Sequence, residues 1–424
     1  MRRFTTAAAV LLLWIAPAWA QVPTVTLGEA VDMALRANPQ MVQARGQVAV
    51  ASASKREAIG NWLPSISGSS SWSRNSSSRW DDRTQTTVTG GSSSLSAGLS
   101  ASMTLFDGFR TPAQNRAANA GFDAADAALV NQEFQIALQT KQTFFNALAQ
   151  HDLVAVSETQ IQRAEEQLKV SREKLAAGQA TRSDTLRSAV ELANARLQLL
   201  NAQTNRATAE ASLARLIGVD GSVRAVSDAN LFSEITVDTA SVRAEAINNS
   251  PAVAQADANA RAAQANLAVS RGQYFPTVSA SYSNSYSGQQ ISQLGNSWSI
   301  RLSMSWPLFN GFTRETGITR SVTSRDAAIA QAEDARRSVN ADLTQYLAAL
   351  AAARSSIEIA IASRAAAAED LRVQQERYRL GAATIVEVLT SQVSLDQAEV
   401  DIIRARFDYL VARAQLEALI GREL

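Results

Sequence analysis

Few residues in this 424-residue chain carry side chains suited to bond-making chemistry. There is one histidine, His151, and no cysteine. The usual zinc sites and activated nucleophiles need several such groups brought together, and neither constellation can be assembled here. His151 therefore reads as a polar residue on a helix surface, and disulfide or thiolate chemistry is excluded. Carboxylates are plentiful but scattered along helical segments, the pattern of a solvated face. A hydrolase built on carboxylates would need a pair held in a cleft, and nothing in the spacing places one. The chain reads as a non-enzyme with no metal and no cofactor. Two acids stand out by position. Asp184 and Glu387 each follow a glycine, Gly178 or Gly381, by six residues, and they lie 203 residues apart. At a helix start such an acid complements the helix dipole, worth a few tenths to about 1 kcal/mol.

The spacing of 203 belongs to the whole chain, which is written twice. Asn38-Pro39 matches Ser250-Pro251, and Trp62-Leu63-Pro64 matches Tyr274-Phe275-Pro276, both at an offset of 212. Leu105-Phe106-Asp107-Gly108-Phe109 recurs as Leu308-Phe309-Asn310-Gly311-Phe312 at 203, and Leu216-Ile217-Gly218 recurs as Leu419-Ile420-Gly421 at the same offset. So many matches in one order indicate a duplicated unit. The nine extra residues of the first copy fall between the Pro and the Leu-Phe-x-Gly-Phe motif, as a surface loop tolerates. Each copy holds a helical stretch (Leu27 to about Gly60, Thr239 to about Gly272), two Ser-rich segments, a very long helix and a return helix. Pro112 suits the first turn of the long helix. Val154, Ile161, Leu168 and Leu175, and likewise Val386, Val393, Val400 and Phe407, repeat every seven residues, which predicts coiled-coil contacts.

The Ser-rich segments alternate. Trp298, Ile300, Leu302, Met304 and Trp306 take the even positions, with Ser299, Arg301, Ser303 and Ser305 between them. Residues two apart share a face of a strand, so one face is greasy and the other polar. Strands are expected near 64–74, 94–105, 276–287 and 297–308, with polar loops over Arg74 to Ser92 and Gly288 to Asn296. Lengths near 10 residues, terminal Trp72, Trp298 and Trp306, and small hydroxyls on the inner face favour lipid outside. Four strands cannot close a membrane barrel, and open edges are not tolerated in hydrocarbon, so several chains must combine.

Compartment and boundaries follow. Arg2 and Arg3, an apolar run from Ala7 to Ile15 and Ala18-Trp19-Ala20 read as a secretory signal peptide over 1–20. The first repeat then spans 21–218, a connecting segment 219–238 and the second repeat 239–424. No later run of uncharged apolar residues is long enough for a membrane helix. A formal net charge of +1 with dispersed basic residues argues against nucleic acid.

A duplicated secreted chain of helix, hairpin, long helix and return helix resembles the TolC family of outer-membrane factors. The likeness spans nearly all of the mature chain and is most specific in the paired Leu-Phe-x-Gly-Phe motifs and in Tyr378-Arg379-Leu380-Gly381-Ala382-Ala383-Thr384-Ile385-Val386-Glu387-Val388-Leu389. It implies a homotrimer: a long α-helical periplasmic tunnel continued by a 12-stranded transmembrane β-barrel in outer-membrane lipid, four strands per chain. It implies an exit duct of a tripartite efflux pump or type I secretion system, with a periplasmic adaptor and an inner-membrane transporter as partners. By the same resemblance Gly178, Thr181, Leu380, Gly381 and Thr384 are adaptor-docking candidates. Asp184, Glu387 and Tyr378 are candidates for the gate, where a ring of carboxylates would favour cations. The family's best-known member has an arginine where Ala383 stands, so one ionic latch is missing; Arg182 and Arg379 are possible substitutes. The alternative is a secreted structural or adhesive coiled coil, which explains the heptads but not the alternating strands.

Overall fold

We describe a computed structural model of the chain that covers residues 23–227 and 242–424, apart from 244, 247 and 248. The signal peptide expected over 1–20, and 228–238 of the connecting segment, lie outside the described residues.

Two helical hairpins dominate. In chain order the elements are β1 (Thr24–Val25), α1 (Leu27–Ala37), α2 (Pro39–Gly60), β2 (Ser65–Asp81), β3 (Thr86–Phe106), α3 (Arg110–Ala176), α4 (Arg182–Ile217) and β4 (Arg224–Ala225). The second copy supplies α5 (Pro251–Arg271), β5 (Thr277–Gly288), β6 (Gly295–Ser305), α6 (Thr313–Arg379) and α7 (Ile385–Ile420). Both long helices have 67 residues and both return helices 36, so the duplication extends to element length. At 1.5 Å per residue the long helices span about 100 Å. The single helical stretch expected from Leu27 to Gly60 is broken at Asn38. That residue is extended because Pro39 follows it, and its Oδ1 caps α2 by accepting from Gln40 N at 2.9 Å.

The largest core lies part-way along the helices, where Met41, Phe144, Leu213, Leu343, Leu416 and Ile420 are fully buried. Beside it the short parallel pair β1–β4 joins Thr24 to Arg224 and Val25 to Ala225. Within the single chain only part of the expected heptads is covered. Val154, Leu168 and Phe407 are buried, but Val386 and Val393 are exposed, and the seam on α7 runs through Val388 and Leu395 instead. Seven-residue spacing marks a stripe but not the neighbour it meets. α6 also contains an 18-residue window of mean hydropathy 1.2, within the range of a membrane span, though only 11% of that window is buried. Alanine, as in Ala348, Ala349, Ala351, Ala352 and Ala353, supplies much of it.

The strands form one antiparallel sheet of order β2-β3-β5-β6, so β2 and β6 are its edges. Its polar face is stitched by hydroxyl pairs: Ser65–Ser102, Ser67–Ser100 and Ser71–Ser96 at 2.7–2.8 Å, and Ser279–Ser303, Ser283–Ser299 and Ser285–Ser297 at 2.9 Å. The opposite face carries Ile66, Trp72, Leu99, Tyr282, Trp298, Ile300, Leu302 and Met304, all exposed in the single chain. Arg301 pairs with Ser281 and so lies on the hydroxyl face. On the greasy face at that depth an arginine would cost about 2–4 kcal/mol in lipid. One expectation is corrected. Arg74 to Ser92 is not a loop: the β2–β3 ladder continues unbroken to Asp81↔Thr86, with a short turn at Asp82–Gln85. Beyond Trp72 the outward positions become Arg74, Ser76, Ser78 and Trp80, and Val88 lies on the other face opposite Arg79. The hairpin therefore continues as a mostly polar ribbon, held by backbone hydrogen bonds after the continuous greasy face has ended. β6 stops at Ser305, short of 308, because Pro307 cannot donate to a ladder.

The Leu-Phe-x-Gly-Phe motif is the joint between sheet and helix. Gly108 and Phe109 both take positive φ (72° and 64°), as do Gly311 and Phe312 (64° and 63°). A bulky residue seldom adopts this conformation. Edge-on ring packing supports it, Phe106 on Phe109 at 5.4 Å and Phe309 on Phe312 at 5.5 Å between centroids.

Candidate functional site at the hairpin tips

Each long helix reverses through five residues, and the chemistry of the reversal is local. Gly178 and Gly381 take φ of 73° and 78°, which a Cβ would strain. Their helices end in paired hydrogen bonds. Gln179 N donates to Lys174 O at 2.8 Å and Gly178 N to Leu175 O at 3.0 Å; Ala382 N donates to Arg377 O at 2.8 Å and Gly381 N to Tyr378 O at 3.1 Å. This is the glycine-terminated helix end that satisfies the last carbonyls. The return helices then open with reciprocal caps. Thr181 N donates to Asp184 Oδ2 at 2.9 Å, and Asp184 N to Thr181 Oγ1 at 3.2 Å. Thr384 N donates to Glu387 Oε2 at 2.6 Å, and Glu387 N to Thr384 Oγ1 at 3.4 Å. Thr-x-x-Asp/Glu is the pattern such a cap requires.

Asp184 and Glu387 thus begin as structural caps. Each accepts through one carboxylate oxygen and leaves capacity on the other. Asp184 is half-buried and Glu387 exposed. Gly178, Thr181, Leu380, Gly381 and Thr384 are all exposed at the tips, and Leu380, 84% accessible, is an apolar side chain held almost wholly in water.

Tyr378 lies elsewhere. Only 5% accessible, it packs with Leu371, Ile385 and Val388 of its own hairpin and against Val170 of the other. The Lys174 ammonium sits 4.5 Å from its ring centroid and donates to its backbone carbonyl, tying α3 to α6. The phenol hydroxyl is enclosed without a hydrogen-bond partner in bonding geometry, with Ser171 beside it. Burial pushes this phenol above its usual range, and the negative charge of Asp184 adds to the rise. Asp184 thus lies near enough for its charge to reach the phenol, while Glu387 caps α7. Arg379 pairs with Glu376 of its own helix at 3.5 Å, and Ala383 packs beside the Tyr378 cluster.

Lys174 was not among the sequence-derived candidates. The repeat could have found it, because Lys174 and Arg377 occupy equivalent places in the last helical turn. A second group also escaped notice. Arg163 on α3 reaches Asp396 at 2.7 Å and Glu399 at 2.5 Å on α7, all three largely buried. Glu191 lies in the same polar groove. Burial raises the Asp396 carboxyl despite Arg163, and burial followed by the charge of Asp396 raises that of Glu191.

No group of His, Cys, Asp or Glu fit to hold a metal occurs among the described residues. The arrangement offers ties between two hairpins, an exposed apolar tip and a pair of acids. Residues 30–219 and 242–422 match the family model described as outer membrane efflux protein. The chain belongs to that family. Among its relatives, outer membrane efflux protein BepC of Brucella suis is 25% identical over 98% of this chain and 90% of BepC. Protein CyaE of Bordetella pertussis is 28% identical over 96% and 85%. The CmeC outer membrane channel of Campylobacter jejuni superposes with a TM-score of 0.81 at 18% identity, over 93% of this chain and 85% of CmeC, a likeness of fold. The outer membrane efflux protein family consists of outer-membrane channels, not enzymes, and serves pumps and secretion systems with adaptor and transporter partners. The chain is an efflux or secretion exit duct of the outer membrane, and the structural or adhesive coiled coil is set aside.

Proposed function

We propose that three copies of this chain close one barrel and one tunnel, with the hairpin tips as gate and docking surface. The observation that carries the trimer is the sheet itself. It has a greasy face of membrane height, yet β2 and β6 end it with unpaired edges. Lipid does not tolerate open edges, and neighbouring copies would pair β6 with β2. The exposed stripe of Val386 and Val393 supports the same reading, since a neighbour's helix would cover it. The repeats over 21–218 and 239–424 then give the tunnel a pseudo-sixfold wall.

Tyr378, Asp184 and Glu387 hold the mouth in this reading. Lys174 on Tyr378 replaces the latch that the arginine at Ala383's place would supply, by tying the two hairpins within one chain. Gly178, Thr181, Leu380, Gly381 and Thr384 present the adaptor-docking surface, with Leu380 as its apolar knob. Unheated outer-membrane fractions should show a heat-modifiable trimer; monomer alone would overturn the assembly. In planar bilayers, Asp184→Ala with Glu387→Ala should raise conductance and lower cation preference. No change in either would remove the gate role. Leu380→Asp should abolish crosslinking to the adaptor while leaving the trimer intact.

A further inference from the structure

We propose that Arg301 builds an anion-binding ring half-way up the barrel, an internal selectivity site opposite in sign to the acidic tips. The proposal rests on the trimeric duct above.

The position is singular. Along the greasy band the inward face offers Ser65, Ser67, Ser69 and Ser71 on β2, then hydroxyls and Gly98 on β3 and hydroxyls on β5. On β6 the same face reads Ser297, Ser299, Arg301, Ser303 and Ser305. Within 65–73, 94–104, 277–287 and 295–305 no other residue on either face is charged. The cross-strand row through it is Ser65↔Ser102↔Ser281↔Arg301, so within the chain's own sheet hydroxyls flank the guanidinium and no acid does. Arg301 is exposed, and its side chain makes no ion pair or hydrogen bond among the described residues. The ion-paired arginines of the helices, such as Arg163 and Arg336, spend their charge on a neighbouring carboxylate. Arg301 keeps its charge for the lumen.

Depth adds the second argument. Trp298 and Met304 bracket Arg301 on the outer face of its own strand, which puts it at mid-height of the apolar band. Ionisable groups at that depth face water-filled paths and mark the route of an ion or substrate. Rings of arginine or lysine select for anions and phosphates. Twelve strands about 4.8 Å apart at a tilt of about 40° put the backbone roughly 12 Å from the axis. The screening length is about 10 Å at 0.1 M salt and about 3 Å at 1 M. Three guanidinium groups reaching inward are therefore felt at the axis in dilute salt and not in concentrated salt. The ligand class is a multivalent anion, bound through phosphate- or carboxylate-type oxygens in the guanidinium fork. Cargo would cross a cation-favouring mouth and then an anion-favouring barrel.

The test uses full-length protein in planar bilayers, with inorganic tripolyphosphate added to each side in turn. In 20 mM KCl the wild-type channel should be blocked, and Arg301→Ser should weaken the block at least tenfold and, across a KCl gradient, move the reversal potential toward that of potassium. Arg301→Lys should retain most of the block, and in 1 M KCl the three proteins should coincide. Equal block and equal reversal potential for wild type and Arg301→Ser in 20 mM KCl overturn the ring and leave the duct standing. Trimers that give no channel steps at all would overturn the duct, and the ring with it.

Discussion

The tips of the two hairpins share a backbone and differ in their side chains. Gly178 and Gly381 have nearly the same φ, Thr181 and Thr384 make the same reciprocal cap, and the flanking helices match in length. Yet Leu175, at the place of Tyr378, is 37% accessible, and Ala177 stands where Leu380 projects. Capping chemistry has been kept in both copies because either reversal needs it. The side chains around it have diverged because only one face of each hairpin meets the other. The same contrast recurs higher up: Arg163, Asp396 and Glu399 join the hairpins, while the equivalent places of the other seam hold Ala366, Ala193 and Arg196. Shared residues make the reversal, and unshared residues make the contact between repeats.

The comparison can be pressed hardest at the buried ion cluster. Arg163→Met leaves two largely buried carboxylates without their cation and should cost about 3 kcal/mol, seen as a lowered melting temperature of the detergent-solubilised protein. Arg196→Met, which breaks an exposed pair with Glu165, should cost under about 0.5 kcal/mol by the same measurement. Comparable losses would mean that the buried cluster between hairpins is worth no more than an exposed pair within one hairpin.

Next come the reversals. Gly178→Val and Gly381→Val should each lose about 1–2 kcal/mol from a forced left-handed side chain, and by equal amounts. A melting shift for one only would break the equivalence of the tips. Thr181→Val and Thr384→Val remove one capping acceptor each, for about 1 kcal/mol apiece. Tyr378→Phe removes an enclosed hydroxyl without a bonded partner, so stability should hold or rise slightly, and a large loss would show that the hydroxyl is bonded after all.

The smallest effect concerns pH. The folded-state carboxyl of Glu191 titrates above its ordinary value, so its protonated form favours folding. That contribution is complete below the unfolded pKa and is lost as pH rises through the folded one. Glu191→Gln should therefore flatten the fall in melting temperature as pH rises through and above the ordinary carboxylate range, an effect worth a fraction of a kcal/mol, and an unchanged profile would show that burial at this groove is too shallow to matter.

Much of this was legible in the sequence because it is local. The glycines, the Thr-x-x-Asp/Glu caps and the two-residue period of Trp298 to Trp306 each act over a few residues. The polar ribbon of Arg74–Asp81 was missed because it lacks the greasy contrast that betrays a strand. The Arg163 cluster joins residues more than 230 apart, so it depends on how one hairpin lies on the other. Tyr378 is a gate candidate by resemblance alone, and its burial beneath Lys174 follows from the angle between helices, which spacing does not encode. The heptad of Val386 and Val393 marks an apolar stripe that spacing alone could not assign to a neighbour, and within the single chain both residues are exposed.

The open edges of the four-stranded sheet also govern how the protein is made. In the proposed trimer a single copy has nowhere stable to put them in lipid, so insertion waits until copies have met. The yield of channels then rises more steeply than the supply of subunits, and slow synthesis leaves chains exposed to periplasmic proteases. Co-expressed subunits with a broken edge strand would be dominant over the intact ones, because each joins a ring and leaves it unable to close.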